Sequence, residues 1–367
     1  MALHTKASDA VSLYQRIQIV QSSTTNVMDE QTMGGKLRMR LMKPALALLV
    51  FAPLIGEILL GSTPFSRLYL FPSEIFLYGS GALFIRELAQ KYALGWSRIV
   101  LLGICYALIE EGIADQSLFN PHFPGAGSLL LYGRWLGVNW YWAEYLIGWH
   151  AIWSITLPIL LVSLLFPKQQ QISWLGPGGL QTVGTIFIAA CLSTFIIYFF
   201  VSGGFFAPLY LIGTALLVGA LISLAVRLPS KGSVARQDAG QQSKSSVGLR
   251  WSMGLLAFSA GLVWLGNHEY LVPAVPALLL VLALLLLGMG VALLIQLISR
   301  WAASRSRWGD QQRLALASGG LFAGAIAGLK IVQDGKLVDF IFQVILCGAT
   351  AAFLIIFNVR AHKQRAW

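Results

Sequence analysis

The stretch Ile99–Gly125, "IVLLGICYALIEEGIADQSLFNPHFPG", decides the fold. An apolar run from Ile99 to Ile109 leads directly into two adjacent carboxylates, Glu110 and Glu111, with Asp115, Asn120 and His122 close behind. Of the 367 residues 57% are hydrophobic and only 11% charged, and the mean hydropathy is +0.71. That composition lies far outside the range of a soluble globular domain. The run is therefore read as a membrane span and the chain as a multi-pass membrane protein, with the glutamate pair where a helix should still be in lipid.

About 20 apolar residues are needed for a helix to cross the hydrocarbon. Spans are expected near residues 44–63, 68–86, 96–113, 138–166, 180–201, 207–227, 251–267, 272–298, 314–330 and 337–358, about ten in all. They are rich in Leu, Ala, Ile and Gly and lack period-2 alternation, so helices rather than a barrel satisfy the backbone. The expected fold class is all-α, with a polar arm over residues 1–43, a helical bundle over 44–359 and a tail over 360–367.

Lys and Arg set the orientation. Lys6, Arg16, Lys36, Arg38, Arg40 and Lys43 precede the first span. Lys91 and Arg98, Lys168, Arg227 to Arg250, Arg300 to Arg313, and Arg360 to Arg365 follow even-numbered spans. The odd-numbered loops hold only Arg67, Arg134, Lys330 and Lys336. Both termini are thus expected in the cytoplasm, with the plasma membrane as the location. The formal net charge of +11 calls for no nucleic-acid partner; anionic lipid head groups account for it. Cys105, Cys191 and Cys347 each fall within a span and suggest packing rather than disulfides.

On this orientation the polar residues gather toward the outer side. Glu57 lies late in the first span, Glu74 opens the second, and Asn139, Glu144 and His150 lie in the first half of the fourth. Asn267, His268 and Glu269 end the seventh. The inner half shows little that compares. A charged carboxylate near the bilayer centre costs roughly 2.5–3.5 kcal/mol on insertion scales, so such residues point to a pocket. The segment Gly112–Gly137, apolar yet broken by Pro121 and Pro124, is a candidate lid or pocket wall, or else an interfacial loop that shields the helix ends.

Adjacent carboxylates repel when both are ionised, which leaves a potential base beside a potential acid. A histidine in the next span could complete a site that activates water, directly or through a divalent metal such as zinc. His150 is the candidate. Glu110, Glu111 and His150 are the expected catalytic residues, and Glu57, Asp115, Asn120, Glu144 and His268 the expected substrate-binding ones.

An intramembrane Glu-Glu pair followed about 40 residues later by a histidine resembles the CAAX protease and bacteriocin-processing (CPBP) family. The resemblance rests on Glu110 and Glu111 for its Glu-Glu-x-x-x-Arg motif, and on Leu146 with His150 for its Phe-x-x-x-His motif. Asp115 stands where that motif has Arg, Leu146 where it has Phe, and the third motif has no clean copy: "HEYLV" at His268–Val272 ends in Val and "HAIWS" at His150–Ser154 in Ser. The resemblance implies an all-helical enzyme that cleaves peptide bonds at the membrane, with a membrane peptide or protein as substrate.

Two other readings fit the same residues. In one, a carrier binds protons or a small substrate at Glu57, the glutamate pair and His150. In the other, a non-catalytic protein keeps the pocket and binds a lipid or peptide. An ATP-driven pump is disfavoured, because no G-x-x-x-x-G-K-[ST] occurs.

Overall fold

The computed structural model describes residues 41–124, 133–176, 178–227, 247–266, 309–332 and 335–363, with isolated positions between 279 and 290. The helices are α1 Leu41–Leu59, α2 Phe65–Lys91, α3 Trp96–Ala107 continued by Leu108–Ala114, α4 Trp140–Leu165, α5 Gly179–Val201 and α6 Pro208–Arg227. They continue with α7 Val247–Gly266, α8 Asp310–Val332 and α9 Leu337–Lys363. The protein is an all-α membrane protein. Among the described residues seven helices, α1, α2, α4, α5, α6, α8 and α9, are long and apolar enough to cross a membrane. The expected number of about ten is therefore not confirmed among the described residues: α3 carries Arg98, Glu110 and Glu111, α7 lies outside the seven, and the expected span at 272–298 lies for the most part outside the described residues, as does His268.

α1 to α4 form the centre. The buried residues Leu48, Leu83, Ile99, Tyr106, Ile155 and Val162 join these four helices in one apolar cluster. A second cluster joins α1 and α4 to α8 through Leu60, Trp149, Trp153 and Leu321. A third, with Cys105, Leu108 and Phe119, joins α3 to α6 through Val218. α7 packs along α8 because the helices are small where they meet: a Cβ on Gly319 would stand 2.9 Å from the Phe258 nitrogen and 3.0 Å from Ala257 Cβ.

Each of the four central helices contains one wide turn of π geometry: Leu54–Leu59 in α1, Ile75–Gly79 in α2, Leu108–Ala114 in α3 and His150–Thr156 in α4. Such turns are rare and concentrate at functional sites. Here they meet one another. Gly56 lies against Ser154, where a Cβ would stand 3.0 Å from the Ser154 Cα, so only a glycine lets α1 approach α4 this closely.

Beyond α3 the chain folds back on itself rather than running on as a plain connection. Gln116 takes a positive φ of 58°, and its Oε1 accepts from the Ala207 nitrogen at 3.0 Å, which ties the turn to the α5–α6 connection. The strands β1 Arg134–Trp135 and β2 Val138–Asn139 pair antiparallel across Leu136 and Gly137, both at positive φ as a two-residue hairpin requires. Asn139 then caps α4, its Oδ1 accepting from the Trp142 nitrogen at 2.9 Å. The part of the expected lid at 125–132 lies outside the described residues.

The opposite end of α2 corrects one expectation. Arg86 and Glu87 are buried as an ion pair, in the half of the bundle where little polar was expected. Arg86 Nη2 donates to the carbonyls of Gln169, Gln170 and Ile172, and its guanidinium lies 3.6 Å over the Trp174 ring. Glu87 accepts from Ser173 Oγ and from the nitrogens of Trp174 and Leu175. Two charges side by side near a helix end read as interfacial, which is why their burial was not foreseen.

Candidate functional site

Glu110, Glu111 and His150 come together where the three apolar clusters join. Glu110 is 4% exposed, Glu111 6% and His150 2%. His150 Nε2 lies 2.7 Å from Glu111 Oε1, and Nδ1 lies 3.0 Å from Ser154 Oγ and 3.5 Å from Glu110 Oε2. The two neighbouring glutamates thus address the two nitrogens of one imidazole. With Glu111 ionised the ring carries its proton on Nε2, and Nδ1 is left to accept from Ser154.

The two carboxylates differ in how they are held. Both Glu111 oxygens are engaged: Oε1 by His150 and Oε2 by Ser117 Oγ, which itself accepts from Trp142 Nε1 at 3.2 Å. Glu110 Oε2 is buried and makes no hydrogen bond of normal geometry, although the Tyr78 and Tyr106 hydroxyls lie against this carboxylate. Aromatic rings wall this side: Tyr78 lies 5.7 Å and Tyr106 6.2 Å from His150, centroid to centroid, and Phe187 of α5 stacks on Tyr106 at 5.6 Å. On the other side Trp149 Nε1 donates to the Gly56 carbonyl at 2.8 Å and locks α4 to α1.

Of the other expected residues, Glu57 and Asp115 border this group, close enough for their charges to act on Glu110 or Glu111. Glu57 is bound by Ser62 Oγ and by Thr63 Oγ1 at 3.3 Å, and Thr63 lies 2.7 Å from Glu74 Oε1. It forms a second acidic pair with Glu74, one helical layer nearer the α1–α2 turn. Asp115 sits beside Glu111 at the end of α3, and its Oδ1 accepts from the Ser117 nitrogen at 3.0 Å. It shapes the turn that delivers Ser117. Asn120 Oδ1 accepts from the His122 nitrogen at 2.9 Å, a local turn rather than part of the group. Glu144 is half-buried on α4, more than a turn before His150. Ser117, Ser154, Tyr78 and Tyr106 were not foreseen. Only Ser154 left a signal, four residues after His150 on the same helix face.

A metal is compatible with this donor set. Glu110, Glu111 and His150 each offer one ligand atom, all within 4.8 Å of one another. Two carboxylates and an imidazole suit a divalent cation such as zinc with one position open.

No curated protein and no solved structure matches the chain. The profile of an uncharacterized membrane protein family matches residues 46–367. The match takes in every described helix except the first few residues of α1, and with it the whole of the glutamate and histidine group: this multi-pass chain belongs to that uncharacterized membrane protein family.

Proposed function

We propose that the chain is an intramembrane hydrolase of the glutamate and histidine type, similar to the CPBP family, acting on a membrane peptide or protein. The observation that carries this reading is the unengaged Glu110 Oε2, 3.5 Å from an imidazole that Glu111 holds from its other side at 2.7 Å. Glu110 takes the proton of a water flanked by its Oε2 and His150, and the water oxygen adds to the peptide carbonyl. Glu110 then returns the proton to the leaving nitrogen. Glu111 and Ser154 fix the ring. A divalent metal, held by Glu110, Glu111 and His150, would supply Lewis acidity and a more acidic water.

The test is cleavage of membrane peptides by purified protein in lipid nanodiscs, with and without a chelator. Turnover should fall by about 10² or more in Glu110→Gln and His150→Ala. Equal cleavage by wild type and Glu110→Gln removes the mechanism. A chelator-sensitive rate assigns the metal.

A carrier is favoured by one feature, the Glu57, Thr63 and Glu74 chain, which joins two buried carboxylates through a hydroxyl. Proton uptake into liposomes by wild type but not by Glu57→Gln, with no peptide cleaved, would select it.

The Lys and Arg asymmetry supports a plasma-membrane location with both termini in the cytoplasm. Cysteines placed at Ser128 and at Ser233 in a Cys-free background should differ in intact cells, only Ser128→Cys reacting with an impermeant thiol reagent. Labelling of Ser233→Cys inverts the orientation.

A further inference from the structure

We propose that the Tyr106 hydroxyl donates the hydrogen bond to the carbonyl oxygen of the bound ligand, which makes this a site for an amide carbonyl. The inference rests on the hydrolytic reading above and adds the group that reading lacks, a donor for the negative oxygen formed when water attacks.

Tyr106 is only 1% exposed, and its hydroxyl is buried without a hydrogen-bond partner. Buried tyrosine hydroxyls ordinarily find one. This ring has no freedom to turn elsewhere. It stacks on Phe187 with an interplanar angle of 25°, lies 5.9 Å from the Tyr78 ring and 6.2 Å from His150, and its edge presses on Gly81, where any side chain would collide with it.

Its direction is the second observation. Tyr106 and Glu110 are four residues apart on α3 and share a face. The hydroxyl faces the Glu110 carboxylate closely enough to interact with it, but the two do not meet in a hydrogen bond of normal length and angle, and Glu110 Oε2 has no such bond to any other group. One spare donor and one spare acceptor therefore border a single buried spot next to His150. A cation alone would satisfy the carboxylate and leave the hydroxyl proton without an acceptor. A carbonyl with an attacking water satisfies both.

The step balances. Water gives a proton to Glu110 as its oxygen bonds to the carbonyl carbon, and the carbonyl π pair moves onto its oxygen, where Tyr106 O–H binds it. The pair returns, the carbon–nitrogen bond breaks, and the amine leaves with the proton from Glu110.

The variant is Tyr106→Phe, which removes one atom and keeps the ring. Loss of one donor to such an oxygen costs about 10²–10³ in kcat, so peptide turnover should fall by about 10², with KM changed only a few-fold and the thermal midpoint unchanged or raised. Full turnover by Tyr106→Phe overturns the proposal, since packing alone survives the substitution. A second measurement does not depend on turnover: the infrared carbonyl band of N-octanoyl-alanine methylamide, ¹³C-labelled at the octanoyl carbonyl, added to protein in nanodiscs. The band should move to lower wavenumber with wild type and not with Tyr106→Phe. A band shift without peptide cleavage sinks the hydrolytic reading and leaves the carbonyl site standing. No shift with wild type, or the same shift with both proteins, overturns the carbonyl site whether or not peptides are cut.

Discussion

Arg86 with Glu87, and Glu110 with Glu111 and His150, are two charge groups buried to nearly the same depth in the same central helices, but they are finished differently. At Arg86 the guanidinium is used up by one carboxylate, three carbonyls and a tryptophan face, and Glu87 by a hydroxyl and two backbone nitrogens. At Glu110 one carboxylate oxygen is left over, and so is the Tyr106 hydroxyl beside it. A buried polar atom without a partner costs about 1–3 kcal/mol. The first group clamps the loop after α4 onto α2; the second carries a cost that a ligand between the carboxylate and the hydroxyl would offset. Burial by itself separates nothing here, and the count of unused atoms does.

The comparison can be broken from either side. The largest effect is expected at the clamp. Arg86→Met strands Glu87 and should destabilise the protein by about 3–5 kcal/mol, read as a lowered midpoint of unfolding in detergent. A small loss there would mean that the clamp is not closed. Next comes Glu110→Gln, whose expected fall in turnover of about 10² corresponds to about 2.7 kcal/mol of activation energy, with the unfolding midpoint held or raised. If the midpoint drops as far as in Arg86→Met, the two groups are alike and the contrast is lost. Gly56→Ala forces a methyl against Ser154 and should cost about 1–3 kcal/mol, while also lowering turnover by displacing His150. Ser154→Ala is the mildest. It removes one hydrogen bond to Nδ1, should cost about 1 kcal/mol of stability, and should lower turnover less than Glu110→Gln does.

The fold class was readable because hydropathy is a property of long windows, and a helix in lipid leaves few alternatives. The number of helices was less so: α3 mixes charges into an apolar run, and the region from 267 to 308 is for the most part outside the described residues. The nearness of Glu110, Glu111 and His150 follows from the cost of isolated carboxylates in lipid, which asks for a partner on the next helix. Tyr78 and Tyr106 were invisible by the same logic, since an aromatic residue in an apolar span costs nothing and so asks for no partner. Ser117 and Ser154 are short hydroxyls that any helix can satisfy through its own backbone. Glu57 lies near enough to Glu110 and Glu111 for its charge to act on both, while its own hydrogen bonds come from Ser62 and Thr63, short hydroxyls of the α1–α2 turn.

The wide turns bear on how such a chain can change over generations. Each π turn accommodates one residue more than the α-helix around it would. Losing a single codon inside Leu108–Ala114 would let that turn relax into ordinary α-helix and swing one flank about 100° against the other. Hydropathy would barely register the loss, and the helix would still be long enough to cross. Glu110 and Glu111 could no longer both reach the imidazole, however, so in-frame deletions at the four wide turns should be far scarcer among natural variants than substitutions of equal polarity nearby.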